Sequence, residues 1–212
     1  MKDIIELFDK PKIICLVGNI NEGKSNMLYY LIEELRKTKT FNLYTYGLRN
    51  EIKDTTKIYS VTELEQIRNS LIIIDEVMTL WDLDERKCKR TIENSLRLIH
   101  HNNNILVICA VPENIKKFIS SKVNCIIYKK VTFEDFINGS SIKRNILNYK
   151  GAEAGSSVLN LSVNEALVYD GLHYTKINVP YLEVYDTKKD NENVLKSVKE
   201  NVKESINKDE KN

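Results

Sequence analysis

Short apolar runs alternate with longer amphipathic stretches along most of this chain. The apolar runs fall at residues 12–17, 41–46, 70–75, 104–110 and 124–131. Several are unbroken and rich in isoleucine, as in 70–75 (SLIIID), which is typical of strands in a parallel sheet that is covered on both faces. We therefore expect a strand at each of these positions.

The stretches between the runs indicate helices: 24–37 carries its apolar residues on one face, whereas 84–101 is polar. The predicted helices lie at 24–37, 62–68, 84–101 and 112–120. The second of them starts with Thr62 and Glu65, whose spacing predicts a capping box. Strands that alternate with helices predict an α/β fold with a mostly parallel central sheet flanked by helices.

The pattern changes after residue 132. Residues 133–150 favour a weakly patterned helix, and 151–157 (GAEAGSS) are typical of a flexible connection. Two further runs, ALVYD and HYTKINV, flank Asp170-Gly171, which predicts an antiparallel hairpin with its turn at this pair. We expect one domain over 1–186. The charged segment 187–212 is either a flexible tail or a short helix that forms on a partner.

Composition narrows the classes of protein that fit. A length of 212 residues suits one α/β domain. The net charge of +2 does not by itself indicate nucleic acid, so DNA contacts would need a local basic cluster. No apolar run approaches the ~20 residues of a membrane span. The charged amino terminus is unlike a secretory signal, and the four cysteines form no C-x-x-C pair. We expect a cytoplasmic protein without disulfides or zinc.

Residues 18–25, here called the phosphate loop, match G-x-x-x-x-G-K-[ST] at every fixed position. The glycines let backbone N–H groups point at phosphate oxygens, and the following helix adds its positive end. Lys24 can reach the β- and γ-phosphates, and the Ser25 hydroxyl can ligate Mg²⁺. The residues predicted to contact the nucleotide are Gly18, Asn19, Asn21, Glu22, Gly23, Lys24, Ser25 and Asn26.

Two adjacent acids, Asp75 and Glu76, end the apolar run that begins at residue 70. A carboxylate at the carboxyl end of a strand beside the phosphate-loop strand can hold Mg²⁺ through its water shell, the role predicted for Asp75. Glu76 can orient and deprotonate a water in line with the γ-phosphate. The D-x-x-G and N-K-x-D motifs of GTPases do not occur at the corresponding positions. We therefore expect ATP and water as reactants and Mg²⁺ as the metal.

Residues 96–102 (LRLIHHN) lead directly into the apolar run NILVICA, which is followed by a loop. In this layout the sequence resembles the FtsK–HerA superfamily of DNA-pumping ATPases. It is most similar to the genome-packaging ATPases of tailless icosahedral viruses, both tectivirus-like and archaeal, which share its single compact domain and its closing hairpin. The resemblance covers about residues 10–185 and implies a RecA-like P-loop NTPase fold of the ASCE type.

The resemblance also implies residues that act beyond the phosphate loop. Rings of this kind use an arginine from a neighbouring subunit to stabilise charge on the γ-phosphate, and Arg97 is our first candidate. The glutamine sensor of the family is absent near Ala110, so either Asn114 substitutes for it or sensing is done differently. The other amides close by are Asn102, Asn103 and Asn104, and the other candidate arginines are Arg49, Arg86, Arg90 and Arg144.

The implied partners are double-stranded DNA, further copies of the chain in a pentameric or hexameric ring, and a capsid or portal-vertex protein. The implied location is the host cytoplasm or the virion. DNA contacts would be made to phosphates, by basic clusters such as Lys87, Lys89 and Arg90, or Lys116 and Lys117.

The alternatives to a packaging motor are a related conjugation or phage-extrusion ATPase, and an ATP-dependent switch that recruits partners without moving DNA. A small-molecule kinase is a third.

Overall fold

A sheet of eight strands lies at the centre of the computed structural model, which describes residues 2–48, 50, 52–75, 85–111, 121–131 and 157–182. Its order is β3-β2-β4-β5-β1-β6-β7-β8. The pairs from β3 to β6 are parallel, whereas β6, β7 and β8 pair antiparallel. The prediction of a mostly parallel α/β sheet with a closing hairpin is confirmed. The strands are β1 (Lys12–Val17), β2 (Asn42–Tyr46), β3 (Thr55–Lys57), β4 (Ser70–Ile74), β5 (Ile105–Ala110), β6 (Cys125–Tyr128), β7 (Glu165–Tyr169) and β8 (Tyr174–Asn178).

The helices are α1 (Lys2–Glu6), α2 (Lys24–Thr38) and α3 (Glu85–His101), together with a 3-10 helix at Val61–Glu65. The positions predicted for α2 and α3 are confirmed. The predicted helix at 62–68 is instead the short 3-10 helix, and its capping box uses Ser60 and Glu63 rather than Thr62 and Glu65. The Ser60 backbone N–H donates to the Glu63 carboxylate over 2.8 Å. The prediction was wrong because the helix is capped two residues earlier than the spacing of Thr62 and Glu65 indicated.

One face of the sheet carries the main apolar cluster. It contains alternate residues of the central strands, such as Ile13 and Ile72, packed with Leu96 and Ile99 of α3. Because side chains alternate along a strand, Ile14 and Ile73 point to the other face, and they too are buried. The buried side chains of α2 are not part of the first cluster, which indicates that α2 covers this second face. The two layers explain the unbroken apolar runs, since each fully buried aliphatic side chain contributes about 1.5–3 kcal/mol.

Two details of the sheet differ from expectation. We expected the strand that carries Asp75 to lie beside β1, but β5 pairs with both β1 and β4 and so lies between them. The short strand β3 was missed, because its three residues are half-buried or exposed at the sheet edge and have no apolar run.

The hairpin joins β7 to β8 through residues 170–173, a longer connection than the predicted turn at Asp170-Gly171. The Asp170 carboxylate accepts hydrogen bonds from the backbone N–H groups of Leu172 and His173. These two bonds also lower the pKa of Asp170, the His173 bond most strongly. The side chain therefore organises a four-residue loop that a dipeptide rule does not anticipate.

The chain divides into a compact unit over Met1–Tyr181 and a second unit over Leu182–Asn212. The predicted helices at 112–120 and 133–150, and the predicted tail from 187, lie outside the described residues. Among the described residues, no helix is both long enough and apolar enough to cross a membrane.

Candidate nucleotide-binding site

The phosphate loop connects the carboxyl end of β1 to the first turn of α2. Gly23 is the N-cap of α2 and has φ 79°, in the left-handed region that favours glycine. It has no side chain to cap the helix, and the first turn of α2 carries no acidic residue. The first N–H groups and the positive end of α2 are thus left facing the loop, which is the arrangement that binds phosphate.

Lys24 and Asn19 close the loop on itself. The Lys24 ammonium donates a hydrogen bond of 2.7 Å to the backbone carbonyl of Asn19. The lysine therefore curls back over the loop instead of extending into solvent, and this keeps a positive charge beside the inward N–H groups. At the far side of the loop, the Asn26 amide donates to the Pro180 carbonyl over 3.0 Å, which links the start of α2 to the segment after β8.

Asp75 lies beside Ser25, although the two residues belong to different strand–loop units. The Ser25 hydroxyl is 3.3 Å from Asp75 Oδ2. Asp75 is 6% exposed, and its backbone N–H donates to the Tyr46 backbone carbonyl over 2.8 Å. This bond fixes the carboxylate just after the end of β4. Burial raises the pKa of the neighbouring Cys109 thiol, and the charge of Asp75 and a hydrogen bond to it raise it further. A neutral thiol therefore faces the carboxylate.

Gly47 lets β2 approach the carboxylate strand closely. Its φ is 76°, and a Cβ at this position would lie 2.2 Å from the Asp75 carbonyl oxygen. Distances under 3.0 Å are essentially never seen for real Cβ atoms. Any other residue at 47 would therefore displace the backbone of Asp75, and with it the carboxylate that faces Ser25.

The donors in this site fit a magnesium ion that is bound partly by phosphate. Among the described residues, no three His, Cys, Asp or Glu side chains form a cluster that could hold a metal ion alone. A hydroxyl and one carboxylate at hydrogen-bond distance are instead what Mg²⁺ needs when phosphate oxygens and water supply its other ligands. Ser25 and Asp75 are the residues that would hold it.

Comparisons with known proteins agree with this geometry at the level of fold. No family model and no curated protein match the chain. Among solved structures, the genome packaging NTPase B204 from Sulfolobus turreted icosahedral virus 2, in complex with ATP-gammaS, superposes with a TM-score of 0.60 and 19% identity. The match covers 82% of this chain and 100% of that one. This chain has the fold of the genome-packaging NTPases.

Two longer proteins contain the same fold. The pCW3 conjugation coupling protein TcpA matches with a TM-score of 0.56 and 17% identity, over 85% of this chain and 62% of that one. Thermomonospora curvata EccC matches with a TM-score of 0.55 and 11% identity, over 84% and 38%. The resemblance to packaging ATPases of the FtsK–HerA kind, drawn from the sequence, is thus confirmed as a likeness of fold.

Other predicted site residues lie elsewhere or outside the described part. Glu76 follows Asp75 but is not described, and the same holds for Arg49, Asn114 and Arg144. Arg97 is exposed on α3, four residues before the helix ends and leads into β5. Since β5 spans about 20 Å, Arg97 lies near the sheet edge opposite the phosphate loop.

The asparagines at 102–104 have a structural role instead of a sensor's role. The Asn104 amide accepts from the Ser70 backbone N–H over 3.0 Å and donates to the Ile67 carbonyl over 2.8 Å. Asn102 donates to the Glu65 carbonyl, and Asn103 to the Asn69 side chain. These bonds join the start of β4 to the start of β5, at the edge away from the phosphate loop. Of the amides considered from the sequence, these three are therefore excluded as γ-phosphate sensors.

Lys129 is the residue near the loop that the sequence analysis missed. It is completely buried, and its ammonium donates to the carbonyls of Val163 and Glu165 over 2.6 and 2.7 Å. Burial lowers its pKa to about 8, although the charges of Glu22 and Glu165 oppose that shift. The available signal was a lysine directly after the apolar run CIIY, at the edge of the sheet where phosphate loops lie.

Proposed function

We propose that this chain is an ATP-hydrolysing motor that moves double-stranded DNA, and that it packages a viral genome into a capsid. The observation that supports ATP hydrolysis is the meeting of the phosphate loop and Asp75 at one edge of the sheet, where the Ser25 hydroxyl lies 3.3 Å from the carboxylate. The DNA and capsid parts of the proposal rest on the likeness of fold to B204. A lysine, a metal-binding hydroxyl and a buried acid at this spacing suit a nucleoside triphosphate and little else.

Each residue of the site would have a distinct role in hydrolysis. Backbone N–H groups of the phosphate loop and the Lys24 ammonium would bind the phosphates. Ser25 and Asp75 would hold Mg²⁺, which when bound supplies charge that stabilises the phosphoryl oxygens. Glu76 would orient the attacking water and take its proton. Arg97 of one subunit would reach the γ-phosphate of its neighbour, which makes hydrolysis depend on a ring.

Packaging is preferred over conjugation because the sequence resemblance and the B204 superposition point to the same kind of protein. B204 superposes with a TM-score of 0.60, against 0.56 for TcpA. We therefore propose a location in the host cytoplasm or the virion, and a pentameric or hexameric ring that engages a capsid or portal-vertex protein. A conjugation or extrusion motor, or an ATP-dependent switch, is the alternative that the same fold supports.

The decisive experiment measures the ATPase rate with and without double-stranded DNA, together with the native mass in the presence of ATP. A motor should show Mg²⁺-dependent hydrolysis that rises with DNA and a mass of five or six subunits. Lys24→Ala is the matched control, since it removes the phosphate-binding charge. A rate that ignores DNA would contradict the motor and favour a switch. Phosphate transfer to an added acceptor instead of water would favour a kinase.

A further inference from the structure

Lys129 extends β6 by one residue and lies directly beneath the phosphate loop. Its backbone N–H donates to the Val17 carbonyl over 2.7 Å, so it pairs with the end of β1 just before the loop begins. The neighbouring Lys130 carbonyl accepts from the Asn19 N–H over 3.2 Å. The loop is therefore attached to this short segment at two successive positions.

The stem of Lys129 runs under both glycines of the loop motif. A Cβ on Gly18 would lie 2.6 Å from Lys129 Cβ, and a Cβ on Gly23 would lie 3.5 Å from Lys129 Cε. The same Cβ on Gly23 would lie 3.1 Å from the Val163 carbonyl oxygen, the atom to which the Lys129 ammonium donates. The lysine thus touches the loop at each end and fixes the segment that supports its second glycine.

A bound phosphate would stabilise the charged form of the Lys129 ammonium. Its protein acceptors are two backbone carbonyls, and its full burial disfavours the charged form. Among the described residues, the charged groups that act on it are Glu22 in the loop and Glu165, the first residue of β7. Glu165 is itself paired with Lys176 over 2.7 Å, and Lys24 lies in the same loop. Phosphates bound above the loop would add negative charge close to this cation.

We infer that Lys129 is a positioning residue of the phosphate loop, and this inference rests on the proposed nucleotide site. Its stem holds Gly18 and Gly23 at their spacing, and its ammonium fixes residues 163–165 beneath them. The loop is then preformed before nucleotide arrives, so that binding does not have to order it. Lys129 would act through the loop and not on the reacting atoms.

The test uses Lys129→Met, which keeps an unbranched stem but removes the charge and the donors. Lys130→Met is the matched control, because Lys130 is exposed and binds the loop only through its backbone. Hydrogen exchange of residues 18–25 is measured without nucleotide, and ATP-gammaS affinity is measured by calorimetry. In Lys129→Met we expect faster exchange in the loop and affinity weaker by about tenfold, with kcat at saturation little changed. Lys130→Met should match the wild type in all three.

Unchanged loop exchange in a folded Lys129→Met protein would overturn the inference, and so would unchanged affinity. These measurements distinguish a failure of the role given to Lys129 from a failure of the proposed function. A wild-type protein that does not bind ATP-gammaS would overturn the proposed function, while loop exchange would still decide the role of Lys129.

A second measurement applies if Lys129→Met does not fold. Raising the pH from about 7 to about 9 passes through the pKa of Lys129, about 8, and neutralises the ammonium. Wild-type ATP-gammaS affinity and loop protection should both fall over this range, with a midpoint near the pKa of the lysine. Because the pKa is lower in the folded state, losing this proton removes a destabilising buried charge. A loss of binding at high pH would therefore not reflect unfolding caused by Lys129. Flat affinity and flat loop exchange across the range would overturn the inference.

Discussion

The Ser25 hydroxyl and the Asp75 carboxylate lie 3.3 Å apart, although fifty residues separate them in the chain. Ser25 lies in the first turn of α2, after β1, and Asp75 directly follows β4, with β5 between these two strands. The phosphate loop must therefore reach across a strand to complete the site. This distance would allow the hydroxyl and the acid to hold one metal ion together, and the first prediction tests that proposal.

Asp75→Asn should leave nucleotide binding largely intact but lower Mg²⁺-dependent hydrolysis by about a hundredfold or more, since the charge that holds the metal is lost. Ser25→Ala should act in the same direction. Hydrolysis rates over a Mg²⁺ titration, compared with the exposed Asp54→Asn as control, give the measurement. Wild-type metal dependence in Asp75→Asn would remove this residue from the metal site.

Gly47→Ala should destabilise the protein by about 1–3 kcal/mol and reduce hydrolysis in the fraction that folds. Its Cβ would meet the Asp75 carbonyl at 2.2 Å, in addition to the strain of φ 76°. Gly171→Ala is the control, because φ is 102° there while the nearest heavy atom is 3.6 Å away. Thermal unfolding and ATPase rates are measured for Gly47→Ala and Gly171→Ala and compared. Equal losses in both variants would show that backbone strain alone matters.

Asn104→Ala should lower the free energy of unfolding by about 1–3 kcal/mol, because it leaves the buried Ser70 N–H and Ile67 carbonyl without their partner. Asn103→Ala removes an exposed bond and should change stability far less. Denaturant unfolding measures both. In either variant the ATPase rate per folded molecule should match the wild type, and a specific loss in Asn104→Ala would restore it as a candidate sensor.

Arg97→Ala and Glu76→Gln should each bind ATP but not hydrolyse it. For Arg97→Ala we expect kcat to fall by about a thousandfold or more. If Arg97 acts on a neighbour, mixed rings of the two variants should recover part of the activity, because some interfaces then combine a normal Arg97 with a normal Glu76. Arg68→Ala is the control, since within the described part of the chain the exposed Arg68 donates to carbonyls of its own segment. The absence of recovery in mixtures that form rings would assign the arginine role elsewhere.

Stability should fall steeply above about pH 9 because buried thiols, Cys15 and Cys125 among them, stay neutral in the folded state. Burial raises the pKa of Cys15 and of Cys125 to about 12, from an ordinary value of 9.0. Between these values the thiols ionise only in the unfolded state, which therefore binds fewer protons and is favoured by about 1.4 kcal/mol per pH unit for each thiol. The double variant Cys15→Ala, Cys125→Ala should show a shallower decline in urea unfolding. An unchanged pH slope would contradict the assignment.

Much of the fold could be predicted because it depends on local pattern. The apolar runs at 12–17, 70–75 and 104–110 each became a strand, since a segment that is apolar at every position must be covered on both faces. The phosphate loop was equally local, because eight consecutive residues carry both its glycines and its lysine. The weak strand β3 and the organisation of the 170–173 loop were missed because few residues define them.

By itself, the sequence determined which residues have the chemistry of a nucleotide site: the loop at 18–25 and the acid at 75. Only the tertiary structure decided that β5 separates their strands, that Gly47 must lack a side chain, and that Lys129 lies under the loop. The physical reason is that strand order and buried contacts depend on how distant segments pack, and the spacing of residues along the chain does not record it. Ser25 and Asp75 illustrate both cases. The chemistry of each residue could be predicted from its local sequence, whereas the distance between them could not.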